Sequence, residues 1–151
     1  MSKKQLRKDE VEALDRIVHD KYKLENFFRK KRVEIADDHY VYVDGIVAFL
    51  KQDDLWIPCL KLLQQHNFLK TVTVDSGAVQ FVCSGADVMR PGITAFDTDI
   101  QKDEIVAIVD QTHKKPIAVG RMLVSGTEAT ALAKGKIIRN LHFVGDDAWT
   151  A

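Results

Sequence analysis

The stretch VTVDSGAVQFVCSGADVMRPGI, residues 72–93, contains the most informative pattern in the chain. Its first residues alternate apolar and polar side chains and predict a strand over 71–74. Residues 75–77, Asp-Ser-Gly, predict a turn, and a second strand is expected over 79–83. A short helix or turn is expected next, over 86–89. The stretch therefore predicts two short strands followed by a compact helical turn.

Residues 84–92, SGADVMRPG, combine features that suit a binding loop. A strand that ends in Ser-Gly and opens a helix exposes backbone N–H groups, which favour an anion such as phosphate. Gly85 and Ala86 are small enough to let another backbone approach, and Val88 and Met89 offer apolar contact. The same residues also suit a purely structural turn that packs on a sheet, with Met89 in the core. These residues alone leave both interpretations open.

Downstream of this stretch the sequence is dominated by short apolar runs. Ser125 and Glu128 form a capping box, which predicts one short helix over 127–134, closed by Gly135. Further strands are expected near residues 93–96, 104–110, 116–124 and 137–144. Five or six short strands with two small helices in about 80 residues favour a closed or nearly closed β barrel.

Upstream, the first half of the chain mixes helical and strand patterns. Apolar residues recur at helical spacing over 10–21, which predicts an amphipathic helix, and a second short helix is expected over 24–31. Asp44 and Gly45 between two apolar runs predict a β-hairpin. Pro58 suits the first turn of a further helix that ends near residues 66–67. The change of pattern near residues 69–71 predicts a domain boundary there.

Charge is balanced overall but unevenly distributed. The 151 residues contain 22 Lys or Arg and 22 Asp or Glu. Residues 1–35 contain eleven basic against seven acidic side chains, and their densest basic run is Arg29, Lys30, Lys31 and Arg32. This run fits either an exposed helix end, whose cations complement the helix dipole, or a surface that contacts RNA. Neutrality therefore does not exclude a nucleic-acid partner.

Signals for enzymatic chemistry, cofactors and membranes are missing from the sequence. The chain contains no GxxxxGK[ST], GxSxG, HExxH or GxGxxG motif, so we expect no catalytic residue and no cofactor. Cys59 and Cys83 have no CxxC partner, which argues against zinc and favours two reduced thiols, although the sequence does not exclude a disulfide. The apolar runs are too short for a membrane helix, and the charged N-terminus does not resemble a secretory signal. We therefore expect a cytoplasmic protein with no membrane partner.

Residues 72–93, followed by DEIVAIVD, PIAVGRMLVSGTE and KGKIIRNLHFVGDDAW, resemble a PUA domain, the RNA-binding module named after pseudouridine synthase and archaeosine transglycosylase. The first half, with AFLK and then WIPCLKLLQQHNFLKTVTVD, resembles the pre-PUA domain of the malignant T-cell-amplified sequence protein family and of the N-terminal part of ligatin, in the architecture of their archaeal relatives. The resemblance implies an α+β chain with two parts. A pre-PUA α/β module would span residues 1–70, and a PUA pseudobarrel of mixed strands with short helices would span residues 71–151.

The resemblance also implies a function and a set of contact residues. PUA domains commonly hold RNA with the signature loop and the last strand. Carried over to this chain, the RNA-binding candidates are Gly85, Ala86, Asp87, Val88, Met89, Arg90, Pro91, Gly92, Arg139, Asn140 and His142. Arg90 would bind a phosphate group of the RNA, and Met89 would contact a base or sugar.

The implied role is that of a non-catalytic RNA-binding protein in translation initiation, reinitiation or recycling. Its partners would be tRNA or ribosomal RNA, the small ribosomal subunit and a second translation factor. Two alternatives stay open: an accessory RNA-binding component of a pseudouridine- or archaeosine-type modification complex, and a protein-interaction adaptor.

Overall fold

The computed structural model describes residues 2–151, and its first half is built on a five-stranded antiparallel sheet. The strands follow one another in chain order, each paired with the next along the chain. They are β1 (Lys3–Gln5), β2 (Val33–Ala36), β3 (Tyr40–Val43), β4 (Ile46–Gln52) and β5 (Leu55–Pro58).

Helix α1 (Lys8–Tyr22) covers one face of this sheet and confirms the predicted amphipathic helix. Its buried residues Leu14 and Val18 pack in a cluster with Phe49 of β4. Lys23 ends the helix in the left-handed conformation, with φ of 61°. Burial of the apolar stripe, rather than helix propensity, fixes the helix to the sheet.

The predicted hairpin is confirmed, but two other predictions for the first half are wrong. Asp44 and Gly45 join β3 to β4 with φ of 49° and 85°. No helix forms over 24–31, where Asn26 and Lys30 have positive φ values that interrupt a right-handed helix. Pro58 ends strand β5 at the sheet edge, where a missing N–H is tolerated, and the helix that follows, α2 (Leu60–Leu63), is a single turn.

The second half forms a six-stranded sheet that curls into a pseudobarrel, in the order β7-β11-β10-β9-β6-β8. Strands β6 and β9 run parallel, and the other neighbours run antiparallel. In chain order, the elements are β6 (Thr71–Val74), α3 (Ser76–Val82), β7 (Val88–Met89), a 3₁₀ turn (Arg90–Gly92), β8 (Ile93–Phe96), β9 (Ile105–Asp110), β10 (Pro116–Met122), α4 (Gly126–Ala131), β11 (Lys136–Phe143) and α5 (Asp147–Thr150). This architecture confirms the α+β class and the pseudobarrel.

The predicted helix at the capping box is confirmed as α4, although it ends earlier than expected. Ser125 Oγ accepts from the Glu128 N–H at 3.1 Å. The predicted strand over 79–83 is wrong, because α3 occupies that region and Asp75 Oδ1 caps it by accepting from the Ala78 N–H at 2.8 Å. The helix or turn expected over 86–89 is also wrong, since Val88 and Met89 pair with β11 as a short strand.

The two sheets share an apolar core. Tyr42, Leu50 and Ile57 of the first sheet pack in one cluster with Ile105 and Val119 of the second. The division at residue 70 falls between α2 and β6, and it remains a prediction. Both cysteines are free, and burial raises the pKa of the Cys59 thiol. Among residues 2–151, no helix is long and apolar enough to cross a membrane.

Candidate nucleic-acid interface

An open cleft of about 620 Å³ lies between helix α3 and the segment that contains β7 and the 3₁₀ turn. We call it the α3–β7 cleft. Its lining residues are Asp75, Gly77, Ala78, Phe81, Val82, Ala86, Asp87, Val88, Met89, Pro91, Gly92 and Lys136. Most of these side chains are apolar, so the cleft suits a flat, uncharged ring better than a bare anion.

Two large apolar side chains in this cleft are exposed to solvent. The exposed fraction is 60% for Phe81 and 46% for Met89. On α3 the exposed Phe81 directly precedes the buried Val82, and on β7 the exposed Met89 directly follows the buried Val88. Large exposed apolar side chains that line one cleft are typical of a binding surface, and an exposed aromatic ring is a surface on which a base can stack.

Small residues join the two walls of the cleft. A Cβ atom added at Gly92 would lie 3.0 Å from the Ala78 Cβ atom, so the 3₁₀ turn packs directly against α3. The Asp75 N–H donates to the Gly92 carbonyl at 2.9 Å. These contacts hold the cap of α3 and the 3₁₀ turn at a fixed separation.

Asn140 of β11 fixes the loop between α3 and β7. Its Nδ2 donates to the carbonyls of Val82 and Ala86, both at 3.0 Å. Its backbone N–H donates to Asp87 Oδ1 at 2.9 Å. These three hydrogen bonds position the cleft wall, and the predicted contact of Asn140 with RNA remains a prediction.

Lys136 is the cation at the rim of the cleft. Its Nζ lies 3.4 Å from Asp87 Oδ2, and its side chain is 63% exposed. An exposed ion pair of this kind contributes little to stability, so the ammonium group is free to exchange its partner for a phosphate.

Six of the eight candidates from the signature loop line the cleft, namely Ala86, Asp87, Val88, Met89, Pro91 and Gly92. The expected donors of a helix N-terminus are absent there, so that part of the prediction is wrong. The loop instead follows the C-terminus of α3, and the N–H groups of Ser84, Gly85 and Ala86 donate to carbonyls of its last turn. Gly85 has φ of 94° and a position for Cβ only 3.0 Å from the Phe143 ring, which requires glycine.

Arg90, the expected phosphate ligand, is used in packing. Its Nε donates to the Ala129 carbonyl at 2.9 Å, and its guanidinium carbon lies 5.3 Å from the centre of the Phe96 ring. Arg90 therefore ties the 3₁₀ turn to α4 and does not line the cleft. Lys136, which the sequence did not single out, takes the cationic position.

The other two candidates on β11 also have structural partners. Arg139 Nη1 lies 2.9 Å from Asp53 Oδ2 in the turn between β4 and β5. His142 is fully buried, so its prediction as an RNA contact is wrong. The alternation of side chains along a strand does not identify the exposed residues of β11, because both faces of this strand are covered. The successive residues Leu141 and His142 are both buried.

His142 takes part in a hydrogen-bond network with Asp146. His142 Nε2 accepts from the Leu60 N–H at 3.0 Å, and its Nδ1 lies 2.9 Å from Asp146 Oδ2. Burial alone would raise the pKa of Asp146, but hydrogen bonds from His142 and from the N–H groups of Phe143 and Trp149 lower it overall. Asp146 therefore stays ionised while it caps α5.

The basic run is exposed but does not end a helix. Lys31 Nζ lies 4.5 Å from the centre of the Phe27 ring, and Arg32 Nε lies 3.2 Å from Glu34 Oε1. Among residues 2–151, no carboxylate lies within ion-pair distance of Arg29 or Lys30. The helix-dipole interpretation is therefore wrong, and two cations remain available to a partner.

Sequence reasoning missed half of the cleft, namely Asp75, Gly77, Ala78, Phe81, Val82 and Lys136. A signal for α3 was present, because Asp75 is a good N-cap and Val79 and Val82 are three residues apart. Among residues 2–151, no three His, Cys, Asp or Glu side chains are grouped as a metal site.

Comparisons with known proteins agree with this architecture. A model of the PUA domain matches residues 70–144. A protein of Methanocaldococcus jannaschii is 46% identical over 125 residues, which cover 80% of this chain and 77% of that protein. Translation machinery-associated protein 20 of Saccharomyces cerevisiae is 32% identical over 147 residues, covering 91% of this chain and 77% of its own length.

A second relative and a solved structure extend the match. The malignant T-cell-amplified sequence 1 homolog of Drosophila melanogaster is 40% identical over 107 residues, covering 68% of this chain and 59% of that protein. The crystal structure of a PUA domain from Aeropyrum pernix K1, a tartrate complex, superposes with a TM-score of 0.86 and 25% identity over 98% of this chain and 89% of that chain. The chain therefore belongs to the family of PUA-domain proteins that includes translation machinery-associated protein 20 and malignant T-cell-amplified sequence 1.

Proposed function

We propose that this chain is a non-catalytic RNA-binding protein that contacts tRNA or small-subunit ribosomal RNA during translation initiation, reinitiation or recycling. The observation that carries the proposal is the α3–β7 cleft, whose lining includes the exposed side chains of Phe81 and Met89. Proteins recognise single-stranded RNA by stacking unpaired bases on exposed aromatic side chains. The cleft supplies such a ring, and Lys136 supplies a cation for the adjoining phosphate.

The zero net charge favours this local mode of binding over a general attraction to nucleic acid. A strongly basic protein binds any phosphate backbone, whereas a neutral one must rely on a few well-positioned groups. We therefore expect moderate affinity and a preference for unpaired ends or loops. The residues that we assign to contact are Phe81, Ala86, Met89, Pro91 and Lys136.

The two carboxylates of the cleft are consistent with a role in binding rather than in catalysis. The carboxylate of Asp75 caps α3, and that of Asp87 is held by Asn140 and Lys136. Both carboxylates thus have structural partners within the cleft wall.

The names of the relatives support a role in translation. We propose a cytoplasmic location and an association with the small ribosomal subunit and a second translation factor. In this scheme residues 71–151 form the PUA domain that holds RNA. Residues 1–70 form a pre-PUA domain that orients the PUA domain on the small ribosomal subunit.

Binding of the full chain to tRNA and to purified small ribosomal subunits tests the proposal directly. We expect saturable binding, and ultraviolet crosslinking followed by mass spectrometry should map the contact to peptides that contain residues 75–92. Failure to bind either RNA would contradict the proposal. Crosslinks confined to other parts of the pseudobarrel would contradict the assigned cleft.

Two outcomes would favour the alternatives left open by the sequence. A stable complex with a separate RNA-modifying enzyme, recovered from native lysate, would favour the accessory role. Ribosome co-sedimentation that disappears when a protein partner is removed would favour the adaptor role. In that case the purified chain would show no RNA affinity of its own.

A further inference from the structure

Two arginine side chains lie opposite each other on neighbouring strands of the pseudobarrel. Arg121 of β10 and Arg139 of β11 are direct partners in the antiparallel register of these strands, and we call them the arginine pair. Residues directly opposite each other share one face of a sheet, and like charges in such positions destabilise it. The arginine pair therefore requires a negatively charged partner.

The partner is Asp53, in the two-residue turn that joins β4 to β5 in the first half of the chain. Its Oδ2 atom lies 2.9 Å from Arg139 Nη1 and 3.8 Å from Arg121 Nη1. A single carboxylate oxygen is thus within ion-pair distance of both guanidinium groups. The arginine pair and Asp53 form one charged cluster, to which both halves of the chain contribute.

This cluster is accessible to solvent. The exposed fraction of the side chain is 44% for Arg139, 40% for Asp53 and 26% for Arg121. Ion pairs at exposed positions contribute little to stability, because water screens the charges and two long side chains must be held in place. Another anion can therefore reach Arg139 from the solvent and displace Asp53 at little cost.

The two arginines differ in what they offer to such an anion. Arg121 Nε is shielded from solvent, makes no hydrogen bond within residues 2–151, and lies 4.0 Å from Asp103 Oδ1. The side chain of Arg139 is the more exposed of the two. We therefore assign the direct contact to Arg139, while Arg121 adds positive charge beside it.

Displacement of Asp53 requires no change in the backbone. Asp53 and Asp54 have φ of 52° and 61°, which is the conformation of a tight hairpin turn. Pairing of Gln52 with Leu55 fixes this turn at its base. The carboxylate of Asp53 can move away by rotation about the bonds of its own side chain.

A phosphate group suits this cluster better than a second carboxylate does. The planar guanidinium group of arginine can donate two parallel hydrogen bonds to phosphate, and it is more weakly hydrated than an ammonium group. An acidic peptide would offer only the group that Asp53 already supplies, so it would gain little by replacing Asp53. The chemistry of the cluster therefore favours the backbone of a nucleic acid.

We infer that Arg139, assisted by the charge of Arg121, binds a phosphate group of the RNA, and that Asp53 is a built-in competitor which this phosphate displaces. The inference rests on the proposed RNA-binding function and deepens it. The sequence singled out Arg139 alone, and the structure adds Arg121 and the competing carboxylate. Removal of this one acidic side chain should therefore strengthen RNA binding.

The test measures the affinity of the full chain for fluorescein-labelled tRNA by anisotropy. Asp53→Asn removes the competing charge, and asparagine tolerates the positive φ of this turn. We expect tRNA to bind this variant about two- to fivefold more tightly, which corresponds to the release of one exposed ion pair. Asp38→Asn is the matched control, because Asp38 is exposed in the turn between β2 and β3 and has φ of 50°. It should show no comparable gain.

Arg139→Gln tests whether the gain passes through the arginine pair. This variant should weaken tRNA binding and reduce the slope of log affinity against log salt by about one, because one phosphate contact is lost. Adding Asp53→Asn to Arg139→Gln should then give no gain. Equal affinities of Asp53→Asn and Asp38→Asn, or a gain that persists beside Arg139→Gln, would overturn the inference.

The outcomes separate this inference from the function on which it rests. If tRNA binds and Phe81→Ala weakens it, but Asp53→Asn brings no gain, the RNA-binding function stands and the phosphate contact at Arg139 is rejected. If the chain binds neither tRNA nor the small ribosomal subunit, both proposals fail. A labelled peptide of six glutamates that gains affinity in Asp53→Asn, while tRNA does not, would assign the cluster to an acidic protein and overturn the inference.

Discussion

Nε2 of His142 on β11 accepts a hydrogen bond from the N–H of Leu60 on α2, at 3.0 Å, across the junction of the two sheets. The ring is fully buried, and its Nδ1 lies 2.9 Å from Asp146 Oδ2. Because Nε2 must accept while Nδ1 donates, one neutral tautomer satisfies all three groups. This contact fixes the first half of the chain against the strand that bounds the α3–β7 cleft.

We expect His142→Ala to destabilise the protein by about 2–4 kcal/mol, because it opens a cavity and leaves the Leu60 N–H without a partner. Urea unfolding followed by circular dichroism measures this change. His66→Ala removes an exposed histidine and should change stability by no more than about 0.5 kcal/mol. Equal effects of the two substitutions would mean that the buried contact contributes little.

Asp146 should make the protein sensitive to acid. Its pKa is lowered in the folded state, so it binds protons less readily there than in the unfolded chain. The contribution of Asp146 to the free energy of unfolding is therefore complete above the unfolded pKa of about 3.9. It is lost as the pH falls through the lower pKa of the folded state. We expect Asp146→Asn to flatten the fall in stability below about pH 4, as measured by thermal unfolding across pH. A variant with the same acid dependence as the unmodified protein would contradict this assignment.

Arg29 and Lys30 should contribute to the salt dependence of RNA binding. Reversing both charges should reduce the slope of log affinity against log salt by about one to two, because each phosphate contact contributes roughly one. Fluorescence anisotropy with tRNA at several salt concentrations measures the slope. Lys102→Glu should leave it unchanged, and an unchanged slope in the double variant would remove this patch from the interface.

Regular patterns in the sequence predicted most of the fold. The stripe of α1, the Asp44–Gly45 hairpin and the strands β6 and β8–β11 were recognisable because one period dominates each segment. Helix α3 was missed because the run around Val79 and Val82 fits a strand as well as a helix. The hydrogen bond from the Ala78 N–H to Asp75 Oδ1 identifies Asp75 as the N-cap of a helix, and only the structure shows that bond.

The candidate site was less predictable than the fold, because its geometry depends on contacts between distant residues. Arg90 is engaged by the carbonyl of Ala129, 39 residues away, and Asn140 by a loop more than 50 residues away. No local pattern reveals such partners. Phe81 was missed for a different reason, because a single exposed aromatic residue does not produce a repeating pattern in the sequence.

The most direct test of the RNA-binding cleft is the affinity of Phe81→Ala for tRNA, measured beside Ile17→Ala. Ile17 is also an exposed apolar residue, with 47% exposure, but it lies on α1 outside the α3–β7 cleft. Loss of base stacking should weaken binding by roughly 5- to 150-fold in Phe81→Ala and leave Ile17→Ala unchanged. Equal affinity of Phe81→Ala and the unmodified chain would contradict the assignment of RNA binding to the α3–β7 cleft.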